Sequence, residues 1–130
     1  MSNVITNGTT IPGSTENFMT AFNKTALGIQ EMFITLLNNF KGLPIKCYAT
    51  NKPDYRLVKK NVFCELVILK KVLRIQLRTD DNYLQMDILP LKEMTDSSKP
   101  GSKWYSVDIS DKSQVDKAYY LINEVYKFSN

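Results

Sequence analysis

The chain contains no histidine among its 130 residues. Histidine is the commonest general base near neutral pH and a common zinc ligand. Its absence excludes Ser–His and Cys–His nucleophile pairs, so an enzyme with this sequence would depend on carboxylates, lysine, tyrosine or a cofactor. No spacing of such residues indicates a reaction or a cofactor. We therefore expect a protein that is not an enzyme and that carries no cofactor.

Cysteine is scarce as well, because Cys47 and Cys64 are the only two and lack CxxC spacing. In a reducing compartment such a pair is typical of buried thiols rather than of a disulfide. No apolar run approaches the roughly 18 to 20 residues that a membrane helix needs. The first residues lack the basic start and apolar centre of a signal peptide. These absences predict a cytoplasmic protein without a membrane partner.

The most informative part of the chain is residues 61–79, which read NVFCELVILKKVLRIQLRT. Residues 62–69 are β-branched and apolar apart from Glu65, which suits a strand with at least one buried face. Residues 72–77 alternate strictly between apolar and polar side chains, as a half-buried strand does. Together the two segments predict a β-hairpin.

The turn of this hairpin contains Lys70 and Lys71. Neither lysine favours the positive φ of a two-residue type I′ turn, so we expect a four-residue loop or a bulge at residues 69–72. The alternation predicts three core side chains and three on the opposite face of the sheet: Leu73, Ile75 and Leu77 against Arg74, Gln76 and Arg78.

Two amphipathic helices flank the predicted strands. Apolar side chains at steps of three and four predict a long helix that begins at Ser14 or Thr15 and ends at Gly42. In the alternative interpretation, Gly28 weakens the middle of this helix and divides it into two shorter ones. A terminal helix begins after a cap at Ser110 or Asp111. The apolar face of the first helix consists of Phe18, Phe22, Thr25, Ile29, Met32, Phe33, Leu36, Leu37 and Phe40. That of the second consists of Val115, Ala118, Tyr119, Ile122, Val125 and Tyr126.

Further strands are predicted at residues 45–49, 55–58, 83–89 and 104–109, with a loop at 92–103. Helix, strands, helix is the order of an α+β protein. We predict a two-layer fold in which an antiparallel sheet of about four to five strands carries both helices on one face. Its other face would be partly exposed.

The first residues differ in composition from the rest. Residues 1–14 are rich in Ser, Thr, Asn and Gly and predict a flexible arm. No internal repeat or second linker divides the remainder of the chain. We expect residues 15–130 to form a single domain.

Positive charge is concentrated in the middle of the chain. The net charge is +4 overall, but residues 52–78 alone carry eight Lys and Arg against two acids. A basic sheet face is typical of polyanion binding. The alternative is a solvated face whose lysines discourage pairing at sheet edges. The candidate ligand-binding residues are Lys59, Lys60, Arg74, Arg78, Lys103 and Trp104.

Trp104 is open to two interpretations. With Lys103 and the basic hairpin it could form a platform for bases and phosphates. Alternatively it packs beneath the terminal helix. For metals the prediction is negative: Asp80 and Asp81 fit a turn, and Glu65 has no evident second carboxylate.

A further pattern consists of Phe63, Lys70-Lys71, Leu73-Arg74-Ile75-Gln76-Leu77, Gly101, Trp104, Asp116, Ala118, Leu121, Ile122 and Tyr126. In these residues the chain resembles a small domain family of unknown function, often labelled "predicted transport protein". Members occur alone or at the C-terminus of restriction-type and other defence-associated nuclease proteins. The resemblance covers residues 29–127, and Lys103 replaces a histidine that members often carry beside the loop tryptophan. The resemblance implies an accessory or binding module, and a free-standing copy with a polar arm also suits a phage protein that acts on host defence.

The sequence thus favours a non-enzymatic module that recognises nucleic acid or a phosphorylated nucleotide through a basic sheet face. The alternative is a protein–protein interaction module, an inhibitor or a homodimer, that uses the aromatic-rich terminal helix.

Overall fold

The computed structural model describes residues 11–50, 54–79, 87–94 and 103–129. The helices are α1 (Glu16–Lys24), α2 (Leu27–Asn39) and α3 (Val115–Phe128), the last preceded by a 3₁₀ turn at Lys112–Gln114. The strands are β1 (Lys46–Ala49), β2 (Asp54–Val58), β3 (Val62–Ile68), β4 (Leu73–Thr79), β5 (Lys92–Glu93) and β6 (Lys103–Ile109). They form one antiparallel sheet in the order β1-β2-β3-β4-β6-β5. The fold is α+β, as predicted.

The central hairpin is confirmed as β3 and β4. Its last register pair is Ile68 with Leu73. The four-residue connection is closed by a hydrogen bond of 3.2 Å from the Leu69 amide to the Val72 carbonyl. The predicted core side chains Leu73, Ile75 and Leu77 are fully buried.

The predicted N-terminal helix divides at Thr25 and Ala26, two residues before Gly28. The Thr25 hydroxyl donates to the carbonyls of Leu69 and Lys70, and the Ala26 amide donates to the Lys70 carbonyl at 3.1 Å. The Ala26 amide lies at the start of α2, where amides have no intrahelical partner, and the Thr25 hydroxyl satisfies two carbonyls of the β3–β4 connection. The break therefore joins both N-terminal helices to the β3–β4 connection.

The terminal helix begins where the sequence predicted. Asp111 accepts a hydrogen bond from the Ser113 amide, and the Gln114 side chain accepts from the Asp111 amide at 3.1 Å. This reciprocal arrangement is a capping box, which stabilises the first turn.

All three helices lie on one face of the sheet, which we call the inner face. α2 and α3 contact each other and the central strand β4, and α3 also contacts β3. α1 contributes Phe18 and Phe22, which both pack against Phe33, and the rings of Phe18 and Phe33 contact Tyr55 of β2; the centroid distances in this cluster are 5.3 to 6.1 Å. Tyr55 is fully buried and donates a hydrogen bond to the Pro12 carbonyl at 2.5 Å.

A bulge between β2 and β3 changes the alternation at one point. Leu57 pairs with Cys64 and Val58 with Val62, which leaves Phe63 as the extra residue. A bulge bends its strand and redirects a side chain. Phe63 accordingly reaches the inner face and packs against Tyr126 of α3 at 5.6 Å.

The strand predicted at residues 83–89 is wrong at its described end, because residues 87–90 form a turn. The remainder of that prediction lies outside the described residues. Inside the predicted loop at 92–103, the short strand β5 pairs with β6. The sequence did not predict β5, because a two-residue strand is too short to show an alternation. With β5 included, the sheet has six strands.

The predicted arm ends earlier than expected. Ile11 belongs to the hydrophobic core, and the Ala49 amide donates to the Gly13 carbonyl at 2.8 Å. Gly13 has a φ of +67° and lies so close to Tyr48 that a Cβ would clash with its backbone. For residues 1–10, which lie outside the described range, the arm stays a prediction.

None of the helices in the described part of the chain has the length and apolar composition that crossing a membrane requires.

Candidate polyanion-binding face

The face of the sheet opposite the helices, which we call the outer face, carries most of the charged side chains of the strands. Strand register assigns to it five cations and three carboxylates: Lys46, Arg56, Arg74, Arg78 and Lys92, with Asp54, Glu65 and Asp108. The excess of positive charge is therefore smaller than the charge of residues 52–78 suggested. Carboxylates from β3 and β6 are interleaved with the basic side chains.

Arg74, a predicted site residue, is paired with Asp108 of β6. Its Nε donates to Oδ1 at 2.7 Å and its Nη2 donates to Oδ2 at 3.1 Å. The hydrogen bonds to Asp108 raise the pKa of the Arg74 guanidinium above its usual value. Both side chains are about 40% exposed, at 41% and 40%, so the pair is well hydrated. Arg74 is thus not the free cation that the sequence suggested.

A second pair lies near the middle of the face. The Nε of Arg56 is 3.8 Å from Oε2 of Glu65, whose side chain is buried. A hydrogen bond with Tyr48 raises the pKa of Arg56, and the neighbouring Glu65 charge acts in the same direction. The nearby positive charge of Arg56 helps to explain how the Glu65 carboxylate can lie buried within an apolar strand.

Lys59 has a structural role. Its ammonium donates to the carbonyls of Tyr126 and Ser129 at 2.9 Å each, and it lies 4.6 Å from the centre of the Tyr126 ring. Cations are favourable at helix C-termini because the last carbonyls carry partial negative charge. Lys59 therefore caps α3, whereas the neighbouring Lys60 is exposed in the β2–β3 turn.

Arg78 and Trp104 are register partners on the outer face, between β4 and β6. Trp104 is 6% exposed and lies outside the main hydrophobic cluster. The interpretation in which Trp104 packs beneath the terminal helix is wrong, because its strand position points it away from the helices. Lys103, one residue earlier, pairs with Thr79 and so projects toward the inner face.

A groove that the sequence did not predict lies on the outer face where β5 meets β6. It has a volume of about 420 Å³ and is lined among others by Arg74, Gln76, Pro90, Lys92, Met94 and Ser106. Gln76, Ser106 and Lys92 follow one another across β4, β6 and β5 in the register. Lys92 reaches this groove because β5 pairs with β6, and no pattern in the sequence predicted that pairing.

Of the six predicted residues, the structure brings Arg78 and Trp104 together directly. Arg74 lies four residues from Arg78 along the same strand, roughly 13 Å away by the usual strand rise. Lys59, Lys60 and Lys103 lie at the end of the sheet near Arg78, but Lys59 is bound to α3 and Lys103 projects to the other side. The predicted site is not one cluster.

The remaining groups to consider in the described ranges are clusters of metal ligands and the two thiols. These ranges contain no group of three or more Cys, Asp or Glu side chains that could hold a metal ion. Cys47 and Cys64 are free, and Leu57 lies between them in the register. Burial raises the pKa of both thiols, which disfavours the reactive thiolate.

Comparison of the chain with family models, with curated proteins and with solved structures found no match. The resemblance to the small domain family stays a prediction.

Proposed function

We propose that this protein binds single-stranded nucleic acid on the outer face of its sheet, with one nucleotide in the groove beside β5. The observation that carries the proposal is the groove itself. The Lys92 ammonium and the Arg74–Asp108 pair flank the amide of Gln76 and the hydroxyl of Ser106. Such a set offers charge to a phosphate and hydrogen bonds to a base edge.

The rest of the outer face supports a strand longer than one nucleotide. Arg78 lies on β4 two residues beyond Gln76, and no described carboxylate pairs with it. Tyr48, at the far edge on β1, is 39% exposed and presents an aromatic ring. Aromatic and cationic side chains spread over an open sheet are typical of proteins that bind single strands.

An open sheet face favours single strands over duplexes. The six strands span roughly 24 Å at the usual spacing, and none of the described helices projects from the outer face. Duplex readers instead insert a helix or a ribbon into a groove. The interleaved Asp108 and Glu65 reduce the field of the face, so we expect moderate affinity rather than tight binding.

The experiment compares fluorescence anisotropy of labelled single-stranded RNA and DNA, a duplex, and free nucleoside phosphates as competitors. Lys92→Met and Arg78→Met should each weaken single-strand binding by several-fold. Lys117→Met, on the exposed side of α3, is the matched control and should leave the affinity unchanged. Equal binding of all variants, or no binding to any nucleic acid at low salt, contradicts the proposal. Binding of a mononucleotide alone would restrict the function to a nucleotide sensor.

A second candidate function, a protein–protein interaction module, is favoured by one observation on α3. Tyr120 and Phe128 are 40% and 59% exposed and lie about two turns apart on the same side of the helix. Exposed aromatic side chains are enriched in interfaces. Light scattering of the wild type and of Phe128→Lys tests this candidate. A monomer at all concentrations that captures no protein partner argues against it.

A further inference from the structure

A second concavity lies on the inner side of the molecule, far from the outer face. It is bounded by the second half of α2, by the connection from α2 to β1, and by β1 and β2, and its volume is about 660 Å³. Small-molecule sites in proteins have volumes of roughly 300 to 1,000 Å³ and mostly apolar walls. The concavity falls within that range.

The walls of this concavity are apolar and incompletely covered. Its aliphatic side chains are only partly buried, although they pack against the core: Ile34, Leu37, Leu43 and Ile45. Leaving four such side chains partly in water on one concave surface is unfavourable. An apolar molecule that filled the space would remove that surface from water.

The polar groups of the concavity carry charge of one sign. Lys41 is the one charged side chain among its described lining residues, and Asn38 lies three residues earlier on the same rim. Cys47 and Tyr55 line the inside, and burial raises the pKa of each, so both are neutral near pH 7. The Tyr55 hydroxyl is already donating to the Pro12 carbonyl. The lining therefore complements an anionic group at the mouth and an apolar body within.

We infer that this concavity binds a small amphiphilic carboxylate, with its apolar body between Leu37, Leu43 and Ile45 and its carboxylate beside Lys41. The site is separate from the proposed nucleic-acid face, and neither depends on the other. A neutral or cationic amphiphile would fill the same apolar space but would gain nothing from the Lys41 ammonium.

The structure provides its own reporter, because Cys47 lines the concavity while Cys64 is fully buried in the sheet. The probes are decanoate, decanol and decylamine, three chains of equal length that differ in charge. Alkylation of each cysteine is followed by mass spectrometry on the full-length protein, with calorimetry for stoichiometry. We expect one decanoate per chain, a dissociation constant at or below about 1 mM, and slowed alkylation of Cys47.

Two variants test the assignment. Lys41→Met keeps the aliphatic stem and should weaken decanoate binding by about two- to fivefold while leaving decanol unaffected, since an exposed ion pair contributes modestly. Leu43→Trp should fill the space and abolish protection of Cys47 by decanoate. Lys117→Met is the control for the charge change. An unchanged thermal midpoint of each variant shows that the fold is retained.

Several results would overturn the inference. Decanol and decylamine binding as tightly as decanoate would remove the carboxylate from the proposal. Decanoate that binds without protecting Cys47, or that binds Leu43→Trp normally, would place the ligand elsewhere. A Cys47 that resists alkylation in ligand-free protein even at a pH above the raised pKa of its thiol would mean that the space is already filled. Diluting the protein then distinguishes two possible occupants. Protection of Cys47 by a second copy of the chain is lost on dilution, whereas protection by a segment of the same chain remains.

Discussion

Arg74 and Asp108 face each other across β4 and β6, and the guanidinium donates two hydrogen bonds to the carboxylate. The carboxylate of Asp108 therefore balances the charge of Arg74, one of the six candidate residues. Since both partners are well exposed, the coupling between them should be small, about 0.2 to 1 kcal/mol. A double-mutant cycle of Arg74→Ala and Asp108→Ala in urea denaturation measures it. A coupling energy well above that range would contradict the hydrated pair that the exposure of both side chains indicates.

Removal of the Asp108 charge should improve nucleic-acid binding. Asp108→Asn leaves Arg74 unbalanced beside the groove, and we expect affinity for single strands to rise by about two- to fivefold at low salt. Asp111→Asn, which changes the same charge at the cap of the 3₁₀ turn, is the control. Anisotropy titrations should show no rise for the control. Weaker binding of Asp108→Asn would count against a role for this face.

Lys59 and Lys60 are adjacent in one turn, yet substitution should affect them differently. Lys59→Met removes two hydrogen bonds to the end of α3 and a contact with the Tyr126 ring, so the free energy of unfolding should fall by about 1 kcal/mol. Lys60→Met should change it by less than about 0.5 kcal/mol. Denaturation curves of the two variants give the comparison, and equal stability of both would contradict the capping role.

Thr25 should be sensitive to loss of its hydroxyl group. Thr25→Val keeps the shape but leaves the carbonyls of Leu69 and Lys70 without that donor, at a cost of about 1 to 2 kcal/mol. Thr25→Ser keeps the donor and should retain most of the stability. Thermal denaturation distinguishes them, and a Val variant as stable as the wild type would show that the helix break does not depend on this contact.

Alkaline pH should destabilise the fold. Burial raises the pKa of Cys64 and Tyr55, so the unfolded chain loses these protons at lower pH than the folded chain. The contribution is fully present below about pH 8.5, and the free energy of unfolding falls as pH rises above it. Cys64→Ala should be less stable at every pH but should decline less between about pH 8 and 10. An equal decline in both proteins would contradict the assignment to Cys64.

The local elements could be predicted from sequence because their signals are local. The alternation around Ile75 defined β4, and Asp111 with Gln114 defined the start of α3. The position of the break at Thr25 could not be predicted, because it depends on carbonyls in a connection more than 40 residues away.

The candidate site was harder to predict because it depends on register between distant strands. Asp108 neutralises Arg74 only because β6, 34 residues later, pairs with β4 in one particular alignment. One residue of slip would place Trp104 on the other face. Lys92 enters the groove through a two-residue strand that has no periodic signal.

The measurement that tests the central claim most directly is the salt dependence of single-strand binding. If Lys46, Arg78 and Lys92 each neutralise about one phosphate, log K should fall with log salt with a slope near −2. The double variant Arg78→Met with Lys92→Met should flatten that slope by about 1.4 while its thermal midpoint stays unchanged. A slope that is the same in the wild type and the double variant, or binding that does not depend on salt, would contradict the assignment of nucleic-acid binding to the outer face.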